Sequence, residues 1–409
     1  MDSVEDNLQK QVPDIAKNIL TLRYDNQIKS SLDELTWNDF TPKTNDIPIE
    51  IIEQKIEEYL KNKINDSISS ISISLSGGVD STLVLGFIRK VFPNIKINAI
   101  SVKFSDSIDE SKNAKKIADF FDAEHHIVEV DNYLEILPNA IGITKMPFWD
   151  NHWLFVAQNA KKFSNFLASG DGGDEVFGGY SFRYEKFLSL IDSSSTPRQK
   201  AESYLNCHER DWVVDQVDVF NNKLNFSWSE IMNSLIPFFE NNLDPLDQVF
   251  LADFNGKLRY NFSFVNQSIN SHYNLETVSP LLSHDLISLL SHCKPEHKYD
   301  KVNNLGKLHL RKILDKMNIS NLVMHEKLGF SVNTKSLWKN FGKKIFNYYF
   351  EDSRLINNEI ISKDWILKYS NQEEPEIRNI NKLLGILALE IWYRIFISKE
   401  MKTDIKLSI

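Results

Sequence analysis

The chain has 409 residues, 42% hydrophobic and 25% charged, which is the make-up of a folded protein with a sizeable core. That excludes a disordered chain, a collagen and a disulfide scaffold, since Cys207 and Cys293 are its only cysteines. Lys+Arg 47 against Asp+Glu 56 leaves a net charge of −9, the wrong balance for a protein that neutralises phosphates along a nucleic acid, so no nucleic-acid partner is expected.

At a prior of about 150 residues per domain the length fits two or three domains, or one large unit with additions. Met1-Asp2-Ser3-Val4-Glu5-Asp6 is acidic and lacks the apolar stretch of a signal peptide. The longest apolar run, residues 383–397, is cut by Glu390 and Arg394 and is too short to span a bilayer. A cytoplasmic protein without a membrane partner is expected.

In chain order, residues 1–50 form a short polar segment of helical pattern. Ile49, Ile52, Ile56 and Leu60 then share one helical face. Ile71-Ser72-Ile73-Ser74-Leu75 reads as a strand, followed by two glycines and an apolar helix over 81–92 that Pro93 stops. A second strand is expected over 95–102, an amphipathic helix over 109–121, and a third strand over 124–130. A helix near 154–163 and a fourth strand over 166–169 follow. This alternation predicts an α/β fold with a doubly wound parallel sheet. Past about residue 185 the strand signal fades and helical spacing dominates. The expected division is an α/β core over about 66–190 and a helical part over about 191–409, jointed near Ser193-Ser194-Ser195-Thr196-Pro197.

Ser76-Gly77-Gly78-Val79-Asp80-Ser81 lies between a predicted strand and helix. Two glycines let backbone approach a ligand closely. The helix start offers free N–H groups and a positive dipole end suited to phosphate, and Ser76 and Ser81 add hydroxyls. Asp80 beside a phosphate makes sense as a holder of Mg²⁺. The bland alternative is a glycine-rich turn. Ser169-Gly170-Asp171-Gly172-Gly173-Asp174-Glu175-Val176-Phe177-Gly178-Gly179-Tyr180 follows the fourth strand. Three acids among five glycines are costly as structure, because adjacent carboxylates repel. A cation with a nucleotide resolves the repulsion. Both loops belong at the carboxyl ends of strands, where ligands bind, so Asp80 and Asp174 are candidates to grip one Mg²⁺-pyrophosphate.

The first loop resembles the pyrophosphate loop of the ATP pyrophosphatases. Together with the second it resembles the synthetase domain of the asparagine synthetase family. The resemblance runs from about residue 50 to 397, so residues 51–409 are expected to form one such domain. Ser101-Val102-Lys103-Phe104 with Asp109-Glu110, Leu305-Gly306-Lys307-Leu308-His309-Leu310-Arg311, Lys327-Leu328-Gly329-Phe330 and Leu389-Glu390-Ile391-Trp392 resemble further family segments. The resemblance implies an adenine nucleotide α-hydrolase-like (PP-loop) fold and an ATP-dependent ligase. Such an enzyme turns a carboxylate into an acyl-adenylate, releases pyrophosphate, and forms an amide as an amine displaces AMP. It implies that Ser76, Gly77, Gly78, Val79, Asp80, Ser81, Val102, Gly170 and Gly172 bind ATP and that Asp80 and Asp174 hold Mg²⁺. It also implies that Lys307 and Lys327 supply positive charge to the phosphates and that Asp171 takes a proton from the attacking amine. By composition alone, Lys307 and Lys327 are surface lysines.

Two departures stand out. The family's glutaminase domain opens on a cysteine nucleophile, whereas residue 2 here is Asp. No intrinsic glutaminase is expected, and nitrogen would come from ammonia, a separate amidotransferase or a substrate amine. In the helical part, the family's Asp-Arg pair is replaced by Gln267-Ser268. Its Glu-x-Arg-x-Pro-Phe-Leu-Asp reads here Glu276-Thr277-Val278-Ser279-Pro280-Leu281-Leu282-Ser283. Val278 for Arg removes a bidentate carboxylate partner, and a family Glu-x-Pro is altered to Lys145-Met146-Pro147. An acceptor carboxylate other than aspartate is therefore expected.

The remaining candidates read as structure. His125-His126 is a strand end, and His292, Cys293 and His297 lack the converging ligands of a metal site. Phe148, Trp149 and Trp153 read as core, with Asp150 and Asn151 beside them as polar candidates for acceptor specificity. Competing readings are a condensation using a substrate amine, a non-catalytic nucleotide-binding relative, and a tRNA-modifying pyrophosphatase, the last disfavoured by the net charge.

Overall fold

The computed structural model describes residues 4–407 apart from 45, 66, 108, 110 and 324–331, with 4–7 by backbone alone. Five strands, β1 (Ser70–Ser74), β2 (Lys96–Phe104), β3 (Glu124–Val130), β4 (Phe166–Ala168) and β5 (Glu276–Val278), form one sheet in the order β3-β2-β1-β4-β5. Every pairing is parallel. The order reverses between β1 and β4, the switch point at which ligands sit outside the strand ends of such sheets. The loops leaving β1 and β4 are the two glycine-rich loops.

Before the sheet come α1 (Val4–Leu22) and α2 (Ile49–Lys63). Within it lie α3 (Val79–Val91), α4 (Ser111–Phe120), α5 (Leu137–Thr144), α6 (Trp153–Ala160) and α7 (Gly173–Phe177). A helical region follows, with α8 (Ser181–Leu190), α9 (Pro197–Cys207), α10 (Gln216–Val219), α11 (Trp228–Leu235) and α12 (Pro245–Asp253). It continues through a π-helical stretch (Phe254–Phe262), α13 (Ser263–His272), α14 (His284–Ser291) and α15 (Leu308–Lys316) to a long C-terminal helix (Ile377–Phe396). The Ser193–Pro197 stretch is an ordered turn. Thr196 caps α9, and Gln199 returns a side-chain bond to the Thr196 N–H at 2.8 Å.

β5 corrects the sequence reading, which expected no strand so late. Three residues carry too little alternation to register as a strand. They form one because Glu276, Thr277 and Val278 pair with Phe166, Leu167 and Ala168.

The sheet buries both faces, as parallel sheets do. On one face Ile71, Ile73, Ile97 and Ala99 pack with Leu83, Val84 and Phe87 of α3 and Leu310 and Ile313 of α15. On the other, Ile100, Leu167 and α6 join a core shared by Val12, Ile15, Ile19 and Leu20 of α1 and Leu383, Leu384 and Leu387 of the C-terminal helix. Each buried Leu or Ile contributes roughly 1.5–3 kcal/mol. The polar-looking N-terminal segment is thus woven into the helical core.

Candidate active site

Loop 76–81 leaves β1 and enters α3 with Gly78 as N-cap. The Ser76 and Ser81 hydroxyls lie 3.2 Å apart, and the Ser76 N–H donates to Ser81 Oγ at 3.3 Å. Gly77 has φ +77°, and a Cβ there would stand 3.1 Å from Asn113 Nδ2. The β1–β2 register, Ser74 to Ile100, puts Val102 level with Ser76, on the neighbouring strand.

The second loop locks onto the first. A Cβ on Gly170 would lie 2.7 Å from Asp80 Cβ and 2.8 Å from both Asp80 C and Ser81 N. Backbone atoms cannot retreat from such a contact. Only glycine fits, so this position fixes the spacing of the two loops. Gly172, at φ +89°, starts α7, whose first turn carries Asp174.

Lys307 joins the loops. Its Nζ is 2.5 Å from Asp80 Oδ2 and 2.9 Å from Asp174 Oδ1, with 7% of the side chain exposed. Burial works against the ammonium, but the carboxylates of Asp174 and Asp80 outweigh it and raise its pKa. Lys307 is itself left-handed, at φ 59°, as the N-cap of α15, a strained setting for a non-glycine residue. Preceding it, Gly306 packs against the backbone of Gly178. Arg311, one turn on, donates to the Gly306 carbonyl at 3.0 Å. Lys327 lies outside the described residues.

Asp171 accepts from Ser169 Oγ and from Asn266 Nδ2 of α13, both at 2.8 Å. Burial pushes its pKa up. The two hydrogen bonds pull it down, and the Asp80 charge pushes it further up. A carboxyl so placed is tuned towards holding a proton. Among the described residues no group of three or more His, Cys, Asp or Glu could hold a metal by itself. Asp80 and Asp174 do converge on one cation, the ammonium of Lys307. Magnesium commonly takes one or two carboxylates and completes its shell with phosphate oxygens and water, which suits this pair.

The structure therefore brings together Ser76, Gly77, Gly78, Val79, Asp80, Ser81, Gly170, Asp171, Gly172, Asp174 and Lys307. Sequence reading missed Asn266, which sits next to the departure at Gln267-Ser268. It also missed Asn113, which donates to the Gly77 carbonyl at 3.5 Å and the Leu322 carbonyl at 2.9 Å. No local pattern marks a lone Asn on a helix.

The altered positions separate into two kinds. Val278 is fully buried among apolar side chains at the end of β5. Ser283 is the N-cap of α14, where its Oγ accepts from Leu286 N–H at 3.4 Å, a task Asp also performs. The Ser283 change is therefore structurally conservative, and Val278 removes charge. Asp150 pairs with Arg23 of the N-terminal segment, while Asn151 is buried and donates to the Phe148 carbonyl at 2.5 Å. Phe148, Trp149 and Trp153 are buried in the core. His125 bonds Ser101 Oγ at 2.8 Å, and His126 stacks on Phe163 at 4.0 Å. His292 and His297 face the Pro42 carbonyl and Asp46, at 3.0 and 3.7 Å.

Residues 53–394 match the asparagine synthase family, and the chain belongs to it. It is 22% identical over 399 residues to asparagine synthetase [glutamine-hydrolyzing] 1 of Bacillus subtilis, an alignment covering 87% of this chain and 62% of that protein. It is 36% identical over 150 residues to putative asparagine synthetase [glutamine-hydrolyzing] 2 of Methanocaldococcus jannaschii, covering 33% and 29%. The chain thus spans less than two thirds of the length of these relatives. Among solved structures it matches NMN synthetase from Francisella tularensis at 15% identity, over 57% of this chain and 99% of that one, with a TM-score of 0.28. No helix among the described residues is long and apolar enough to cross a membrane.

Proposed function

We propose that this chain is an ATP-dependent carbon–nitrogen ligase that activates a small-molecule carboxylate as an acyl-adenylate and amidates it. The observation that carries the reading is the junction of the two loops, Gly170 backbone against Asp80 and Ser81, with Lys307 between Asp80 and Asp174. In this reading, loop 76–81 and the start of α3 bind the β- and γ-phosphates of ATP through backbone N–H groups and the Ser76 and Ser81 hydroxyls. Val102 and its strand end flank the adenine, and Gly170 and Gly172 let backbone approach the nucleotide. A substrate carboxylate oxygen bonds to the α-phosphorus as the bond to pyrophosphate breaks. Asp80 and Asp174 would hold Mg²⁺, which supplies charge neutralisation on the leaving pyrophosphate. Lys307, and Lys327 by resemblance, add fixed positive charge.

Amine nitrogen then attacks the acyl carbon and AMP departs. Asp171, raised in pKa and held by Asn266 and Ser169, accepts the proton the amine loses. Cys207 and Cys293 are the chain's cysteines, and burial pushes both thiols up, Cys207 to about 12. Neither suits an activated thiolate. In this reading the nitrogen comes as ammonia, from a separate amidotransferase, or from an amine on a substrate.

The test incubates the chain with ATP, Mg²⁺ and single carboxylic acids, with and without ammonium, and measures pyrophosphate and AMP. Equal release of both, dependent on one acid, is expected. Asparagine from aspartate would show the family's usual acceptor. Turnover without added nitrogen would assign the amine to a substrate. No ATP cleavage with any acid refutes the ligase reading.

A further inference from the structure

Lys307 is the left-handed N-cap of α15, at φ 59°, and a strained backbone position persists only where its surroundings over-determine it. Part of the hold is local. The Leu308 N–H donates to the Lys298 carbonyl at 3.2 Å, and Gly306 packs on the backbone of Gly178. The rest comes from far away in the chain, because residues 46–53 run beside α15 and grip it.

Asp46 holds the start of that helix. Its Oδ1 accepts from His309 Nε2 at 3.0 Å, and its Oδ2 accepts from Lys312 Nζ at 3.3 Å. Further along, Lys316 Nζ donates to Glu50 at 3.1 Å and to Glu53 at 2.6 Å, both in the first turns of α2. His309, Lys312 and Lys316 follow the spacing of one helical face. The strap is anchored just ahead of Asp46. Lys43 Nζ lies 2.8 Å from Asp247 Oδ2 of α12, a carboxylate with no exposed surface, and donates to the Ser291 carbonyl at 2.8 Å. The Thr44 N–H donates to the His292 carbonyl at 3.0 Å.

The contacts differ in weight. Lys312 and Lys316 have side chains about half exposed, 52% and 46%, and such surface pairs contribute little. His309 is fully buried. Burial pushes its pKa down, so its ring is neutral at pH 7. Donation to Asp46 puts the single ring proton on Nε2, and Nδ1, which has no hydrogen-bond partner among the described residues, is then a bare acceptor. Partial burial works against the Asp46 carboxylate, but the bonds from His309 and Lys312 outweigh it and lower its pKa. One charge-assisted hydrogen bond therefore fixes a buried ring two residues beyond Lys307.

We propose that Asp46 and His309 are positioning residues for Lys307, the strap holding α15 where the Lys307 ammonium falls between Asp80 and Asp174. The catalytic use of that placement rests on the ligase reading above, whereas the strap stands on these contacts alone. Asp46 lies before residue 53, where the family match begins. A segment outside the match thus governs a lysine inside it.

The test labels the full chain with trace acetic anhydride, without ATP, and reads each lysine by peptide mass spectrometry. Asp46→Ala and His309→Leu should each raise Lys307 labelling about tenfold, the weight of one hydrogen bond to a charged group. Lys382, buried in the C-terminal helix, should label as in the wild type. Asp46→Asn, whose amide oxygen still accepts from Nε2, should restore protection. In turnover, Asp46→Ala should lower the kcat for pyrophosphate release roughly ten- to a hundredfold, with the KM for ATP held within about threefold. Should His309→Leu fail to fold, Asp46→Ala decides, since the Asp46 side chain is 43% exposed. Unchanged Lys307 labelling, a rise shared by Lys382, or Asp46→Asn behaving as Asp46→Ala overturns the proposal. The expected labelling in a chain that cleaves no ATP with any acid keeps the strap and removes the ligase reading.

Discussion

Replacing Lys307 by Met keeps the length of the stem and removes the one positive charge shared by Asp80 and Asp174. Their side chains are only 18% and 15% exposed. Deleting one partner of a buried pair costs about 3–5 kcal/mol, because a charge is left without compensation. Here both acids keep some contact with water, so the expected loss is about 3 kcal/mol. Against a total stability of roughly 5–15 kcal/mol this is a large fraction. Urea unfolding in EDTA should show it as a lowered midpoint at unchanged slope. Magnesium should then act as a substitute cation. At a hundred times its dissociation constant it should restore about 2.7 kcal/mol to the variant and much less to the wild type, whose ammonium already occupies the position. An unchanged midpoint in EDTA would refute the charge argument. Equal Mg²⁺ stabilisation of both proteins would show that the metal does not use this pair of carboxylates.

Three further outcomes are expected. Gly170→Ala should cost about 1–3 kcal/mol by overpacking and lose ATP binding, measured by thermal shift with and without nucleotide; retained binding would mean the loops are not held together at this contact. Asp171→Asn should lower kcat by roughly 10²–10⁴-fold. In the wild type the rate should fall as pH drops through the raised Asp171 pKa, and a variant keeping the same acid limb would assign that limb elsewhere. Lys382, buried in the C-terminal helix, has its pKa pushed down by burial to about 7. The folded state therefore binds this proton less readily than the unfolded chain, whose lysine titrates near 10.4. Its contribution should make stability rise with pH between about 7 and 10.4, by up to ~1.4 kcal/mol per unit. Lys382→Met should flatten that rise, and an identical slope in both proteins would show the ammonium to be better solvated than its burial implies.

The first four strands and both glycine-rich loops were readable because each combines a short apolar run, a glycine turn and a helix start in one local stretch. β5 was not, since its three residues become a strand only by pairing with β4, about a hundred residues earlier. The site divides in the same way. Asp80, Asp171 and Asp174 sit within dense motifs whose acids are hard to explain otherwise. Lys307 looks like any surface lysine until its neighbours Leu305-Gly306 and Leu308-His309-Leu310-Arg311 are compared with a family. Asn266 carries no local signal, because its role comes from how α13 crosses the second glycine-rich loop.

The packing of α1 on the C-terminal helix carries a consequence for synthesis. Residues 70–130 hold β1, β2 and β3, which can pair soon after leaving the ribosome. The apolar stripe of α1 emerges earlier still, yet much of its cover begins at residue 377. At about 5–20 residues per second that is a wait of roughly 20–70 s. A nascent chain stalled short of that point would carry a paired half-sheet and a bare helix face, the kind of surface a holding chaperone grips.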